Sequence, residues 1–193
     1  MQSRPGAIPD RRTRLSGSAR TDDSHLVNRD RTDTHLYFAY GSNLDRDAMA
    51  HRFPDARPLG PGVLEGWQLS FQGVADIRPV ARARTQGALW RISDRDLARL
   101  DTYEGYPSLY GRERLPVRTR AGELLAITYV MCEEDGYQGL PSPGYLATIR
   151  RGYEQWGLPL IALDFAVAKA EDRFFDLGVS RFEPDGPKRL RPA

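Results

Sequence analysis

The sequence predicts a mixed α/β (α+β) fold, a small curved β-sheet flanked by helices. Three observations carry this. Short aromatic or alternating segments recur between Gly- and Pro-rich breaks, as strands do. Longer segments show helical spacing with caps at their ends. Strands and helices do not follow strict βαβ order, which leaves an open doubly wound sheet as the fallback. At 193 residues, with 40% hydrophobic and 28% charged side chains, the chain can bury one ordinary core.

Taken in order, residues 1–34 are rich in Arg, Asp, Ser and Thr and nearly free of large apolar side chains. They cannot bury enough surface to offset ordering entropy, so this segment is expected to be disordered. Its five Asp residues argue against a transit peptide. The globular domain is expected over 35–170. Leu36–Tyr40 reads as a strand, Gly41-Ser42-Asn43 as a break, and 45–52 as a helix capped by Asn43 or Asp45. Phe53-Pro54 ends that helix, and Pro58–Gly62 reads as a loop. Trp67–Phe71 alternates like a strand between Gly66 and Gly73. Ala75–Arg84 has no strict period and reads as a loop or edge segment. Gly87–Ile92 is a further strand.

Ser93 then opens a helix over 94–104, closed by Gly105 and Pro107. Arg112–Arg120 and Glu123–Met131 flank Ala121-Gly122 as a hairpin. Tyr137–Pro143 reads as a loop. Ser142 and Pro143 start a helix that runs to Trp156 and stops at Gly157. Pro159 opens a last helix to about Lys169. Residues 171–193 read as an irregular tail.

Composition removes several function classes. The net charge of +2 makes no electrostatic case for nucleic acid or a membrane surface. The lysines are Lys169 and Lys188, so the first 160 residues hold no lysine nucleophile. Cys132 is the sole cysteine, which rules out an internal disulfide and a Cys-rich metal site; it lies in an apolar run and reads as a packed thiol. His25, His35 and His51 show no ligand spacing, so neither a metal site nor a His-based triad is expected. No apolar run reaches the roughly 18 residues of a membrane helix, and the N-terminus has no apolar signal core. A cytoplasmic protein is the expectation.

Two stretches point to chemistry. Strand, Gly41-Ser42-Asn43 loop and helix start form a geometry whose backbone N–H groups suit a carboxylate or an oxyanion. The loop lacks the Gly-Lys-Ser/Thr pattern of a phosphate loop. The second stretch is helix 94–104. At about 100° per residue from Leu97, Leu100 falls near ~300°, Glu104 near ~340° and Asp101 near ~40°. Glu104 therefore sits on the apolar stripe, in the last helical turn. Burial and the negative end of the helix dipole both disfavour its ionised form, as suits a carboxyl group that takes and returns a proton. The competing reading is an ion pair with Arg112 or Arg114. Asp101 reads as a flank residue that bonds locally. Tyr103, Tyr106, Tyr110, Tyr129, Tyr137 and Tyr145 crowd the half of the chain after Tyr103, as core or as the lining of one pocket.

Together these residues resemble the γ-glutamylcyclotransferase family (AIG2-like), from about Leu36 to Leu160. Tyr37-Phe38-Ala39-Tyr40-Gly41-Ser42-Asn43-Leu44 resembles its substrate loop, and Leu100-Asp101-Thr102-Tyr103-Glu104-Gly105 its catalytic segment. Pro141-Ser142-Pro143-Gly144-Tyr145 and Gly157-Leu158-Pro159 resemble a third motif. The resemblance implies a barrel-like mixed sheet with Glu104 as the catalytic residue. It implies substrate contacts from Tyr37, Phe38, Ala39, Tyr40, Gly41, Ser42, Asn43, Tyr110 and Tyr145, with Tyr129 as a further pocket tyrosine. It implies formation of 5-oxoproline from a small γ-glutamyl substrate, a lyase or acyltransferase type of reaction without metal or cofactor. Relatives of this fold act on γ-glutamyl amino acids, γ-glutamyl amines, glutathione-like peptides or γ-glutamyl groups in antibiotic synthesis. A homodimer is compatible with the sequence. The departures are the N-terminal segment, the tail, and Ala75-Asp76-Ile77-Arg78-Pro79 near the expected pocket. Two other readings stand beside the enzyme: a non-catalytic small-molecule-binding module on the same fold, and a hydrolase or transferase using the same loop.

Overall fold

Five strands close into a barrel in the computed structural model, which describes residues 33–132, 139–175 and 181–182. They are β1 (Thr34–Ala39), β2 (Arg57–Gln72), β3 (Val74–Ser93), β4 (Tyr110–Thr119) and β5 (Gly122–Met131). The order around the barrel is β1-β3-β2-β4-β5. Four pairings are antiparallel, and the fifth, β1 with β5 at Tyr37↔Ile127, is parallel and closes the ring. The helices are α1 (Arg46–Arg52), α2 (Asp94–Glu104), α3 (Pro143–Trp156) and α4 (Ile161–Phe175). A short parallel pair, β6 (Leu140–Pro141) with β7 (Arg181–Phe182), forms a separate two-stranded sheet. No described helix is long and apolar enough to cross a membrane.

Segments expected as a loop, or as a loop or edge segment, are strand, including Leu140–Pro141 of the expected loop Tyr137–Pro143, which forms β6. Pro58–Gly62 belongs to β2 and Ala75–Arg84 to β3. The prolines mislead because only β3 bonds the first part of β2: β4 joins it no earlier than Val63. A strand position facing an open side needs no N–H, so proline is tolerated there. In β3, Val74 to Ile77 are all buried, which erases the alternation of a half-exposed strand. Further on, pairing steps from Glu65↔Arg84 to Trp67↔Pro79, so β2 advances 2 residues (67 − 65) while β3 advances 5 (84 − 79). The surplus bulges outward around the exposed Arg82. Thr34 already belongs to β1, and α4 starts at Ile161 and continues to Phe175, past the expected end near Lys169. Residues 1–32 and 183–193, expected to be disordered and irregular, lie outside the described residues, as does Tyr137.

The helices start where their caps are written. Asp45 accepts from Ala48 N–H at 2.9 Å, Ser93 from Asp96 N–H at 3.1 Å, and Ser142 from Tyr145 N–H at 3.1 Å. Gly105, at φ 68°, ends α2 one residue after Glu104.

One contact between elements fixes the position of the loop after β1. The single 3-10 turn Ser42–Leu44 is backed by α3. Trp156 donates its indole N–H to Leu44 O at 2.8 Å, and the Arg46 guanidinium lies 4.1 Å from the centre of the Trp156 ring. Arg151 pairs with the buried Asp45. Gly152 is the point of closest approach: a Cβ there would lie 2.5 Å from Leu44 Cβ and 2.8 Å from Asp45 N. Alanine in place of glycine inside a helix ordinarily gains roughly 0.8–1.0 kcal/mol. Overpacking ordinarily costs ~1–3 kcal/mol, and here the obstacle is backbone. Gly152→Ala is therefore expected to melt several degrees below the wild type in a thermal unfolding experiment. A higher melting temperature would show that α3 does not press on the turn.

Candidate active site

The end of β1, the Ser42–Leu44 turn and the last turn of α2 meet at a small cavity. Of the residues the sequence points to, Tyr37, Tyr40, Gly41, Ser42, Asn43, Glu104, Tyr110, Tyr129 and Tyr145 line it. Two of the expected substrate residues do not. Phe38 faces away from Tyr37, as neighbours on a strand must, and its ring packs over the backbone of Gly62 and Gly87. Ala39 is fully buried in the ladder opposite Ala88. Ala75, which opens the segment that departs from the family pattern near the expected pocket, completes the wall.

Glu104 is the carboxylate of this cavity. It shares the buried side of α2 with Leu97 and Leu100 and is only 6% exposed. Its Oε1 accepts from Asn43 Nδ2 at 3.1 Å. The same Nδ2 donates to Tyr37 Oη at 3.1 Å, and Asn43 Oδ1 accepts from Arg52 Nη1 at 2.9 Å. The arginine weighed as a partner for Glu104 is engaged elsewhere: Arg112 pairs with Asp101 at 3.4 Å and stacks on Tyr106 at 4.4 Å. Arg114 is exposed on β4. Asp101 bonds across the fold rather than locally, accepting from the Tyr129 hydroxyl at 2.6 Å.

Phenols make up most of the remaining wall, and several are tied to the main chain. Tyr40 donates to Tyr129 O at 2.6 Å, and Tyr110 to Ala75 O at 2.7 Å. Tyr145 accepts from Ala75 N–H at 3.0 Å, so both backbone groups of Ala75 are held by tyrosines. The ring of Tyr129 meets Tyr37 edge-on at 6.0 Å. Behind the wall, Tyr103 shares a hydrogen bond with Ser42 Oγ at 3.2 Å. Gly41 leaves no room for a side chain without adjustment: a Cβ would lie 3.1 Å from Ala75 Cβ and 3.4 Å from the Tyr145 hydroxyl. The first bond of the turn is Leu44 N–H to Gly41 O at 2.9 Å, so the amides before it have no partner inside the turn.

Burial is the main cause that raises the pKa of Tyr37, Tyr40, Tyr110, Tyr129 and Tyr145. The Glu104 charge adds to it in each, and for Tyr129 the bond to Asp101 is the second cause. All five stay protonated across the physiological range. Raised folded-state values mean that this burial stabilises the fold in full below the unfolded tyrosine pKa of about 10, and that the contribution is lost as pH rises beyond it. In an alkaline titration, the phenolate absorbance of these tyrosines is expected to appear in one step together with loss of the far-ultraviolet circular dichroism signal. Smooth ionisation of every tyrosine near pH ~10 with the fold intact would contradict their burial.

Comparison with known proteins gives a consistent result. A family model described as gamma-glutamyl cyclotransferase, AIG2-like, matches residues 37–147, a span that contains every residue of the cavity wall. The gamma-glutamylcyclotransferase of Mus musculus is 31% identical over 141 residues, which is 66% of this chain and 74% of that protein. The gamma-glutamylcyclotransferase of Homo sapiens is 31% identical over 139 residues, 65% of this chain and 73% of that protein. A solved structure named gamma-glutamyl cyclotransferase superimposes with a TM-score of 0.61 at 26% identity, over 82% of this chain and 93% of that one. With its closed five-stranded barrel and the turn and glutamate that meet in its wall, the chain belongs to the AIG2-like gamma-glutamyl cyclotransferase family.

Proposed function

We propose that this chain converts a γ-glutamyl amino acid or γ-glutamyl amine to 5-oxoproline and the free amine, with Glu104 as general base and then general acid. The observation that carries the reading is a single buried carboxylate, held by a side-chain amide donor, in the wall of a cavity otherwise lined by neutral phenols and backbone.

The substrate's own α-amine attacks its γ-carbonyl. A five-membered ring closes, the amide C–N bond breaks, and the leaving amine needs a proton. The protein supplies no nucleophile and no atom changes oxidation state, so the reaction requires no redox cofactor. Two tasks remain. The first is to fold the γ-glutamyl chain so that amine and carbonyl meet, which is proximity catalysis. Tyr40, Tyr110, Tyr129 and Tyr145 form walls suited to that confinement, and the amides of Gly41 and Ser42 can receive the substrate carboxylate or the developing oxyanion. The second is to carry one proton from the α-ammonium to the leaving amine. Glu104 can accept it and return it in the same turnover, with Asn43 holding the carboxyl in place throughout.

Release of 5-oxoproline from a panel of γ-glutamyl amino acids, amines and peptides tests the assignment. A binder without turnover would retain ligand and release none. Glu104→Gln keeps an acceptor for Asn43 but cannot exchange a proton. It is expected to lower kcat by roughly 10²–10⁴-fold while substrate affinity is largely kept. A Glu104→Gln protein that folds and turns over at the wild-type rate would overturn the mechanism.

A further inference from the structure

Arg52, the last residue of α1, is not in the cavity wall, yet it grips the residue that holds Glu104. Its guanidinium lies 4.7 Å from the centre of the Tyr103 ring and donates from Nη1 to Asn43 Oδ1 at 2.9 Å. Among the described residues it forms no ion pair with a carboxylate. A cation kept beside a buried site without an acidic partner, and pointed at an amide oxygen, calls for a role other than surface charge.

The chemistry of the amide supplies one. Asn43 offers one acceptor end and one donor end, and they differ only by a half-turn of the side chain. Arg52 can only donate. It therefore requires Oδ1 on its own side, which turns Nδ2 toward Glu104 and Tyr37. The Tyr37 hydroxyl can donate or accept and does not discriminate between the two orientations. Glu104 discriminates only while ionised. Once it carries the proton, its O–H can donate to an amide oxygen, and a flipped Asn43 would capture that proton.

We propose that Arg52 is a positioning residue that locks the Asn43 amide with its N–H₂ toward Glu104, so that protonated Glu104 cannot spend its O–H on Asn43 and delivers it to the leaving amine. This rests on the reading of Glu104 as the proton carrier. It assigns Arg52 to the second, proton-returning half of the reaction, and no contact between Arg52 and the substrate is implied.

Four proteins test it: wild type, Arg52→Met, Asn43→Ala and the double variant, compared on a substrate from which the wild type releases 5-oxoproline. Arg52→Met keeps a long side chain against Tyr103 and removes every donor. It is expected to lower kcat roughly 10–100-fold, a part of the ~10²–10⁴-fold available to acid–base catalysis, with KM changed by less than about threefold. The double variant is expected to lose no more than Asn43→Ala alone, because Arg52 acts only through Asn43. Arg52→Lys, which can still donate one bond, is expected to recover much of the loss. A raised KM with unchanged kcat, or additive losses in the double variant, would overturn the proposal in favour of a direct substrate contact. A second readout does not need turnover. The side-chain amide resonances of Asn43, assigned by their absence in Asn43→Ala, are expected to shift and broaden in Arg52→Met. If they match the wild type, the lock does not exist, whatever the enzyme does. If they move while the wild type releases no 5-oxoproline from any γ-glutamyl compound, the lock stands, the assigned reaction falls, and with it the role of Arg52 in proton return. Should Arg52→Met fail to fold, Arg52→Leu, which likewise removes every donor, carries the same comparisons.

Discussion

Everything at the cavity depends on how closely α3 approaches the Ser42–Leu44 turn. A three-residue turn has too few internal bonds to hold itself: its carbonyls and amides would otherwise be satisfied by water in many arrangements. Here the Leu44 carbonyl is taken by the Trp156 indole, Asp45 is tied to Arg151, and the missing side chain of Gly152 lets the two backbones touch. The edge-on packing of Trp90 on Trp156, with ring centres 5.4 Å apart, ties this contact to β3. Asn43 is thereby placed within bonding distance of Glu104, whose own position comes from the buried face of α2 and the stop at Gly105. Neither element could align the pair alone.

The electrostatic character of the site follows from this arrangement. Burial keeps the phenols neutral, so the wall presents hydroxyl groups and no competing charge from the tyrosines. The buried Asp76 next to Ala75 is compensated outside the wall, by Arg78 at 2.7 Å and the Met131 N–H at 2.9 Å. Asp101, one turn before Glu104, is compensated by Arg112 and Tyr129. Two nearby carboxylates thus have their own partners, and Glu104 is the one in the cavity wall.

Much of this was legible in the sequence because short-range rules govern it. Strand, Gly-Ser-Asn break and capped helix are local patterns. Ser93 and Ser142 act as the caps their positions suggest, and the helical period alone puts Glu104 on the stripe of Leu97 and Leu100. The misreadings share a different cause, which is burial set by distant parts of the chain. β2 and β3 are far longer than their sequence pattern indicates, because proline faces an open side in one and both faces are covered in part of the other. Phe38 and Ala39 sit inside a recognisable motif, but strand alternation and close packing take them off the wall. Ala75 contributes its amide and carbonyl, which carry no side-chain signature. Arg52 looks like any basic residue in a last helical turn until Asn43 is found beside it.

The bond between Trp156 and Leu44 spans 112 residues. Contacts of that separation are the slowest to pay back their loop-closure entropy, whereas the β2–β3 and β4–β5 hairpins join neighbours in the chain. During synthesis, Asn43 and Glu104 leave the ribosome long before α3 does. An incomplete chain, or one cut before α3, can hold barrel hairpins yet lacks the backing that aligns Asn43 with Glu104. The cavity is thereby complete only when the chain has been made through Trp156.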